Sequence, residues 1–133
     1  MKSLIIRFFC SLLFLNSLLS SASADPSLGF VLKNDNPRVI IFVHGYRSNG
    51  LDAWTNTENG KFWPVLVAED KRIKGYDVYV HDYFSRFSGQ QASPTEISSE
   101  LELIMKDEGL SNYSEIVFVA HSMGGIVVRD LLN

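Results

Sequence analysis

The sequence predicts an α/β protein built on a mainly parallel sheet. Three observations carry that expectation. First, three short apolar stretches rich in β-branched residues recur, RVIIFVHG from Arg38, YDVYVHDYF from Tyr76 and EIVFVA from Glu115. RVIIFVHG is continuous rather than alternating, as a strand buried on both faces is. Second, each is followed by a stretch with helix-start signals. Third, the strand–helix order repeats three times, which calls for right-handed crossovers between parallel strands.

The elements follow in order. The chain opens on a short basic segment, MKSLIIR, then the apolar FFCSLLFLNSLL, then SASA with Ala22 and Ala24 in an Ala-x-Ala arrangement. This is the pattern of a secretory signal peptide cut between Ala24 and Asp25. The apolar run from Phe8 to Leu19 is twelve residues long, short of the roughly 20 that span a bilayer. LGFVLK, Leu28 to Lys33, offers an additional strand, and KNDNP is a turn. The first clear strand ends at Gly45, and a polar loop, RSNGLDAWTNTENGK, carries Gly50 and Gly60 as breakers. A helix is expected near Pro64, and the second strand follows RIKG. The next helix has an explicit start, with Ser93 as N-cap, Pro94 at the first position and Glu96 completing a capping box. Ile97, Leu101 and Ile104 form one apolar stripe, and Gly109 ends the helix. The third strand then leads directly into GGIVVRDLL, the third helix.

Composition narrows the function. Export would remove Lys2 and Arg7, leaving ten basic against 15 acidic residues and a net charge of −5. No basic patch invites nucleic acid. The single cysteine, Cys10, lies in the apolar leader, so the mature chain is expected to have no disulfide and no thiol chemistry. The expected compartment is exported: periplasm, extracellular space or secretory-pathway lumen.

Two turns carry the chemistry. AHSMG sets Ser122 where the third strand meets its helix. The turn needs small neighbours because the serine backbone is strained and adjacent turns press against it, and Ala120 and Gly124 meet that need. Gly125 is expected to let the helix approach the sheet. The serine hydroxyl would stand above the carboxyl edge of the sheet at a helix N-terminus. There the Met123 N–H and the helix dipole can stabilise an oxyanion. The plainer reading is a serine that caps a helix. Upstream, FVHGY ends the first clear strand. Gly45 permits a sharp turn, the Tyr46 N–H is the second candidate oxyanion donor, and His44 is expected to tie down the loop by hydrogen bonding. Trp54, Phe62, Trp63 and Tyr83 suit an apolar pocket or lid, and equally a core.

VIIFVHGY followed by IVFVAHSMGGIVVRDLL resembles the α/β-hydrolase superfamily, and within it serine esterases and lipases of the GPI inositol-deacylase-like group. HSMGGIVVRDLL is the most specific phrase, and the resemblance covers residues 37 to 133. Alanine at 120 departs from the glycine more frequent there. The resemblance implies a three-layer hydrolase fold, Ser122 as nucleophile, and backbone oxyanion donors at Tyr46 and Met123. It also implies an ester or lipid substrate cleaved through an acyl-enzyme, with no metal or organic cofactor. A lipid substrate leaves open peripheral contact with a membrane.

In that superfamily an acid and then a histidine follow the serine. Only eleven residues follow Ser122 here, with Asp130 as the one acid and no histidine. His44, His81 and His121 are poorly placed as bases, and Asp77 and Asp82 read as solvated strand-end charges. Residues 25 to 133 are therefore expected to be the front part of a hydrolase domain, inactive alone. Without further strands, Ile116 to Val119 would present an apolar edge. The alternatives are a degenerate, non-catalytic binding protein of the same fold and a short stand-alone protein with another role.

Overall fold

A computed structural model of the chain describes residues 28–83 and 92–133. The expected leader, residues 1 to 24, lies outside them. The described residues form an α/β protein with a four-stranded, mostly parallel open sheet. Strand β1 spans Phe30–Leu32, β2 Arg38–Val43, β3 Tyr76–His81 and β4 Glu115–Ala120. Helix α1 spans Trp63–Glu69, α2 Pro94–Asp107 and α3 Met123–Leu131. The sheet order is β1-β3-β2-β4. Central β2 pairs in parallel with both neighbours, Arg38 opposite Tyr76 and Glu115, and Val43 opposite His81 and Ala120. The additional strand expected within Leu28 to Lys33 forms as β1, and it runs antiparallel to β3. The polar loop after β2 holds more structure than its sequence suggests, with a 3-10 turn over Asp52–Trp54 and a bridge between Thr55 and Phe62.

Topology dictates the layers. The β2-to-β3 crossover and the β3-to-β4 crossover travel in opposite directions across the sheet. Connections of one hand must then lie on opposite faces. Accordingly, Val67 of α1 packs with Ile40, Phe42, Val78 and Val80 on one face. Ile97, Leu101 and Met105 of α2, with Val127 and Val128 of α3, pack with Val39, Ile41 and Val43 on the other. The complete burial of Val39 and of Ile41 to Val43 follows from cover on both sides of β2. The capping box on α2 is present, Glu96 N–H donating to Ser93 Oγ at 3.2 Å and Ser93 N–H to Glu96 Oε2 at 2.6 Å. Gly109 stops that helix in the left-handed region, φ 73°.

Strand β4 lies at the edge of the sheet, and Val117 on it is 37% exposed. The expectation for Asp77 is corrected. It is fully buried and accepts hydrogen bonds from Asn34 N–H at 2.9 Å, Asn36 Nδ2 at 2.7 Å and the Tyr113 hydroxyl at 2.6 Å. It locks the amino edge of the sheet, where a buried carboxylate is tolerated only with such donors. No helix among the described residues is long and apolar enough to cross a membrane.

Candidate functional site

The helix that follows β2 covers one face of the sheet and the helix that follows β4 covers the other. The loops leaving these adjacent strands diverge at their carboxyl ends, and an open α/β sheet binds ligands in such a crevice. The two sequence motifs meet there. His121 N–H donates to Val43 O at 3.1 Å, joining the end of β4 to the end of β2. A Cβ added to Gly45 would lie 2.8 Å from Ser122 Cβ and 3.0 Å from His121 Nδ1, so only glycine lets the loop after β2 approach the serine this closely.

Ser122 has φ 54° and ψ −123°, a conformation that residues with a Cβ rarely adopt. It is exposed, and its side chain makes no capping hydrogen bond to α3. The helix-cap alternative is thereby set aside. Gly125 N–H bonds to Ser122 O at 3.0 Å and Gly124 N–H to His121 O at 3.0 Å, closing the turn. Met123 is the first residue of α3, where N–H groups have no intrahelical acceptor and point out of the helix start.

The glycine roles need a correction. Gly124, not Gly125, sets the approach of α3 to the sheet. A Cβ at Gly124 would strike the Val43 carbonyl oxygen and stand 2.5 Å from that of His44, whereas one at Gly125 would meet open space. Gly124 is buried and Gly125 exposed, on opposite sides of the first helical turn. Ala120 closes β4 opposite Val43 and is itself exposed.

His44 ties down the loop after β2, as its position suggested. It is fully buried. Its Nδ1 lies 2.9 Å from Gly45 O, and its Nε2 lies 3.2 Å from Tyr83 N and 3.0 Å from Asp82 Oδ1. The Tyr83 N–H can only donate, so Nε2 accepts it and Nδ1 carries a proton toward Gly45 O. The Asp82 oxygen beside Nε2 can only accept and makes no hydrogen bond to it in that tautomer. The Tyr83 hydroxyl donates to His44 O at 2.6 Å, and the two rings stack at 4.0 Å with 8° between planes. Burial, then the Asp82 carboxylate, pushes the Tyr83 phenol up to about 12, so it stays a donor throughout the physiological range. Asp82 accepts Gly50 N–H at 2.7 Å, so this exposed carboxylate is bonded rather than merely solvated.

Sequence reasoning placed Tyr83 among pocket, lid and core residues and missed its bond to the loop. The available signal was its place at the end of β3, on the same carboxyl edge as His44.

The remaining histidines differ in kind. His81 pairs with Val43 across the sheet and is 1% exposed. Burial first, and the neighbouring His44 ring second, push its imidazole down to about 4, against a smaller pull from Asp82. Among the described residues its Nε2 has no hydrogen-bond partner, nor has the buried Trp54 Nε1. His121 is exposed, its ring edge-on to Trp54 at 6.4 Å. Trp54 in turn touches Phe42 and Trp63, and Trp63 alone of these aromatics is open to solvent, at 47%. Asp130 accepts the Thr95 hydroxyl at 3.0 Å and so joins α3 to α2. No hydrogen bond to Ser122 Oγ comes from any of these groups among the described residues. A groove of about 420 Å³ opens at the amino edge, lined by Lys33, Asn36, Glu108 and Tyr113, away from the serine. Among the described residues no group of histidines, cysteines or carboxylates could hold a metal ion. No protein-family model, curated protein or solved structure matches the chain.

Proposed function

We propose that the chain is the nucleophile-bearing part of a serine hydrolase of the α/β-hydrolase superfamily, acting on carboxylic esters of a lipid-like kind. The observation that carries this reading is the strained, exposed Ser122, pressed between Gly45 and α3 at the carboxyl edge of the sheet. The pair φ 54° and ψ −123° is strained for a side chain, and strain of that kind concentrates where a reactive group must be presented.

In the proposed reaction the Ser122 oxygen attacks the ester carbonyl while a base removes its proton. The Tyr46 and Met123 N–H groups stabilise the resulting oxyanion. The alkoxide leaves with a proton and an acyl-enzyme remains, which water then hydrolyses. The reaction requires a base for the serine proton, which in that superfamily is a histidine held by a carboxylate. An unassisted serine hydroxyl is a weak nucleophile near neutral pH.

The test is labelling of the full-length polypeptide with a fluorophosphonate probe. Ser122 should be the modified residue, and Ser122→Ala should abolish labelling while the far-UV spectrum is retained. Equal labelling of the two would remove Ser122 from the mechanism. A folded full-length protein that is never labelled would favour the non-catalytic binding protein. Residues 25 to 133 alone should hydrolyse a p-nitrophenyl ester no faster than their own Ser122→Ala variant.

A further inference from the structure

We propose that Tyr83 is a positioning residue for the oxyanion turn, acting through His44, an inference that rests on the Ser122 reading above. The argument runs through one planar group. The Tyr46 N–H and the Gly45 carbonyl belong to the same trans peptide, so fixing one direction fixes the other. His44 Nδ1–H holds that carbonyl at 2.9 Å. The His44 ring can hold it only if the ring itself is held, and Tyr83 does this in three ways. Its ring lies flat on the imidazole at 4.0 Å, its N–H satisfies Nε2 and its hydroxyl fixes the His44 carbonyl at 2.6 Å.

The contacts form a chain from the end of β3 to the proposed donor: Tyr83, the His44 ring, the Gly45 carbonyl, the Tyr46 N–H. All of it is buried up to Gly45, while Tyr46 itself is 42% exposed. Gly45 is the residue that lies against the serine, and the buried end carries the rigidity. The same His44 carbonyl lies against Gly124, so the Tyr83 hydroxyl also fixes the surface on which the serine's helix rests. An oxyanion donor contributes only while aimed at the developing charge, and misplacement by about 1 Å can cost on the order of 100-fold.

Tyr83→Phe removes the hydroxyl and keeps the stacked ring. The matched control is Tyr113→Phe, which removes an equally short tyrosine hydrogen bond, to Asp77, at the opposite edge of the sheet. In the full-length protein, with rates scaled to the folded fraction by near-UV circular dichroism, Tyr83→Phe should lower kcat about 10-fold and leave KM within about twofold. Tyr113→Phe should leave both near wild type. Native-state amide exchange gives a readout independent of activity. Tyr83→Phe should speed exchange of the residue-83 amide, whose N–H is held by His44 Nε2, relative to Val78 and Val80 of β3. Equal falls in kcat for the two variants, a matching rise in KM, or unchanged exchange of the residue-83 amide would overturn the inference. If Ser122→Ala retains wild-type labelling, the hydrolase reading fails, and amide exchange still decides whether Tyr83 holds the turn.

Discussion

Replacing Ser122 by glycine should make the protein more stable while abolishing the proposed reaction. At φ 54° and ψ −123° the serine Cβ is in a conformation glycine adopts freely. Such strain costs on the order of 1–3 kcal/mol. Against this, glycine loses more backbone freedom on folding, roughly 0.5–1 kcal/mol. The serine hydroxyl makes no capping bond whose loss would count. The net expectation is a gain of about 1 kcal/mol, or about 4–8 °C in melting temperature for a domain near 100 residues. Ser122→Ala is the control, because it removes the same hydroxyl and keeps the strained Cβ, and should stay within about 0.5 kcal/mol of wild type. Urea unfolding followed by tryptophan fluorescence measures both, since Trp54 is buried beside His121. If glycine proves no more stabilising than alanine, Ser122 is not strained, and the main support for its chemical role goes with it.

Gly124→Ala and Gly125→Ala, adjacent and chemically identical, should have opposite effects. The first forces a methyl group into the Val43 and His44 carbonyls and should cost about 1–3 kcal/mol or more, and the second should be neutral or stabilising by about 0.4–1 kcal/mol. Thermal melts of the pair check this, and equal shifts would refute it. His81, neutral and buried with its pKa lowered to about 4, is protonated only on unfolding between there and 6.5. Stability should therefore be full above pH 6.5 and fall as pH drops toward 4, by up to about 3 kcal/mol, and His81→Leu should flatten that slope in urea titrations. Mass spectrometry of the exported protein should give Asp25 as its first residue, and recovery of Met1 in a membrane fraction would contradict cleavage.

What was legible in the sequence was what local patterns dictate. EIVFVA forms β4 from Glu115 to Ala120, and Ser93, Pro94 and Glu96 start α2 as their capping chemistry requires. The strained turn at Ser122 was legible because small residues crowd it. Three features were not legible, for three reasons. Asp77 is buried because donors 36 to 43 residues away in sequence converge on it, and no local pattern encodes such convergence. Gly124 and Gly125 are indistinguishable until the helix phase is fixed by its contact with β2. Tyr83 binds His44 across 39 residues, and an aromatic at a strand end signals burial without saying what its hydroxyl meets.

The serine and the glycine that shapes its surroundings are 77 positions apart in the chain, and they meet only when β4 docks on β2. The presentation of Ser122 is thus a property of tertiary assembly and of no single segment. A peptide of residues 115 to 133 has nothing to hold its serine at positive φ and should relax to ordinary backbone angles with an ordinary hydroxyl. During synthesis the same would hold, since the last strand of the described sheet to emerge leads into the serine. Assembly of the sheet, rather than any one segment, therefore sets the backbone of Ser122.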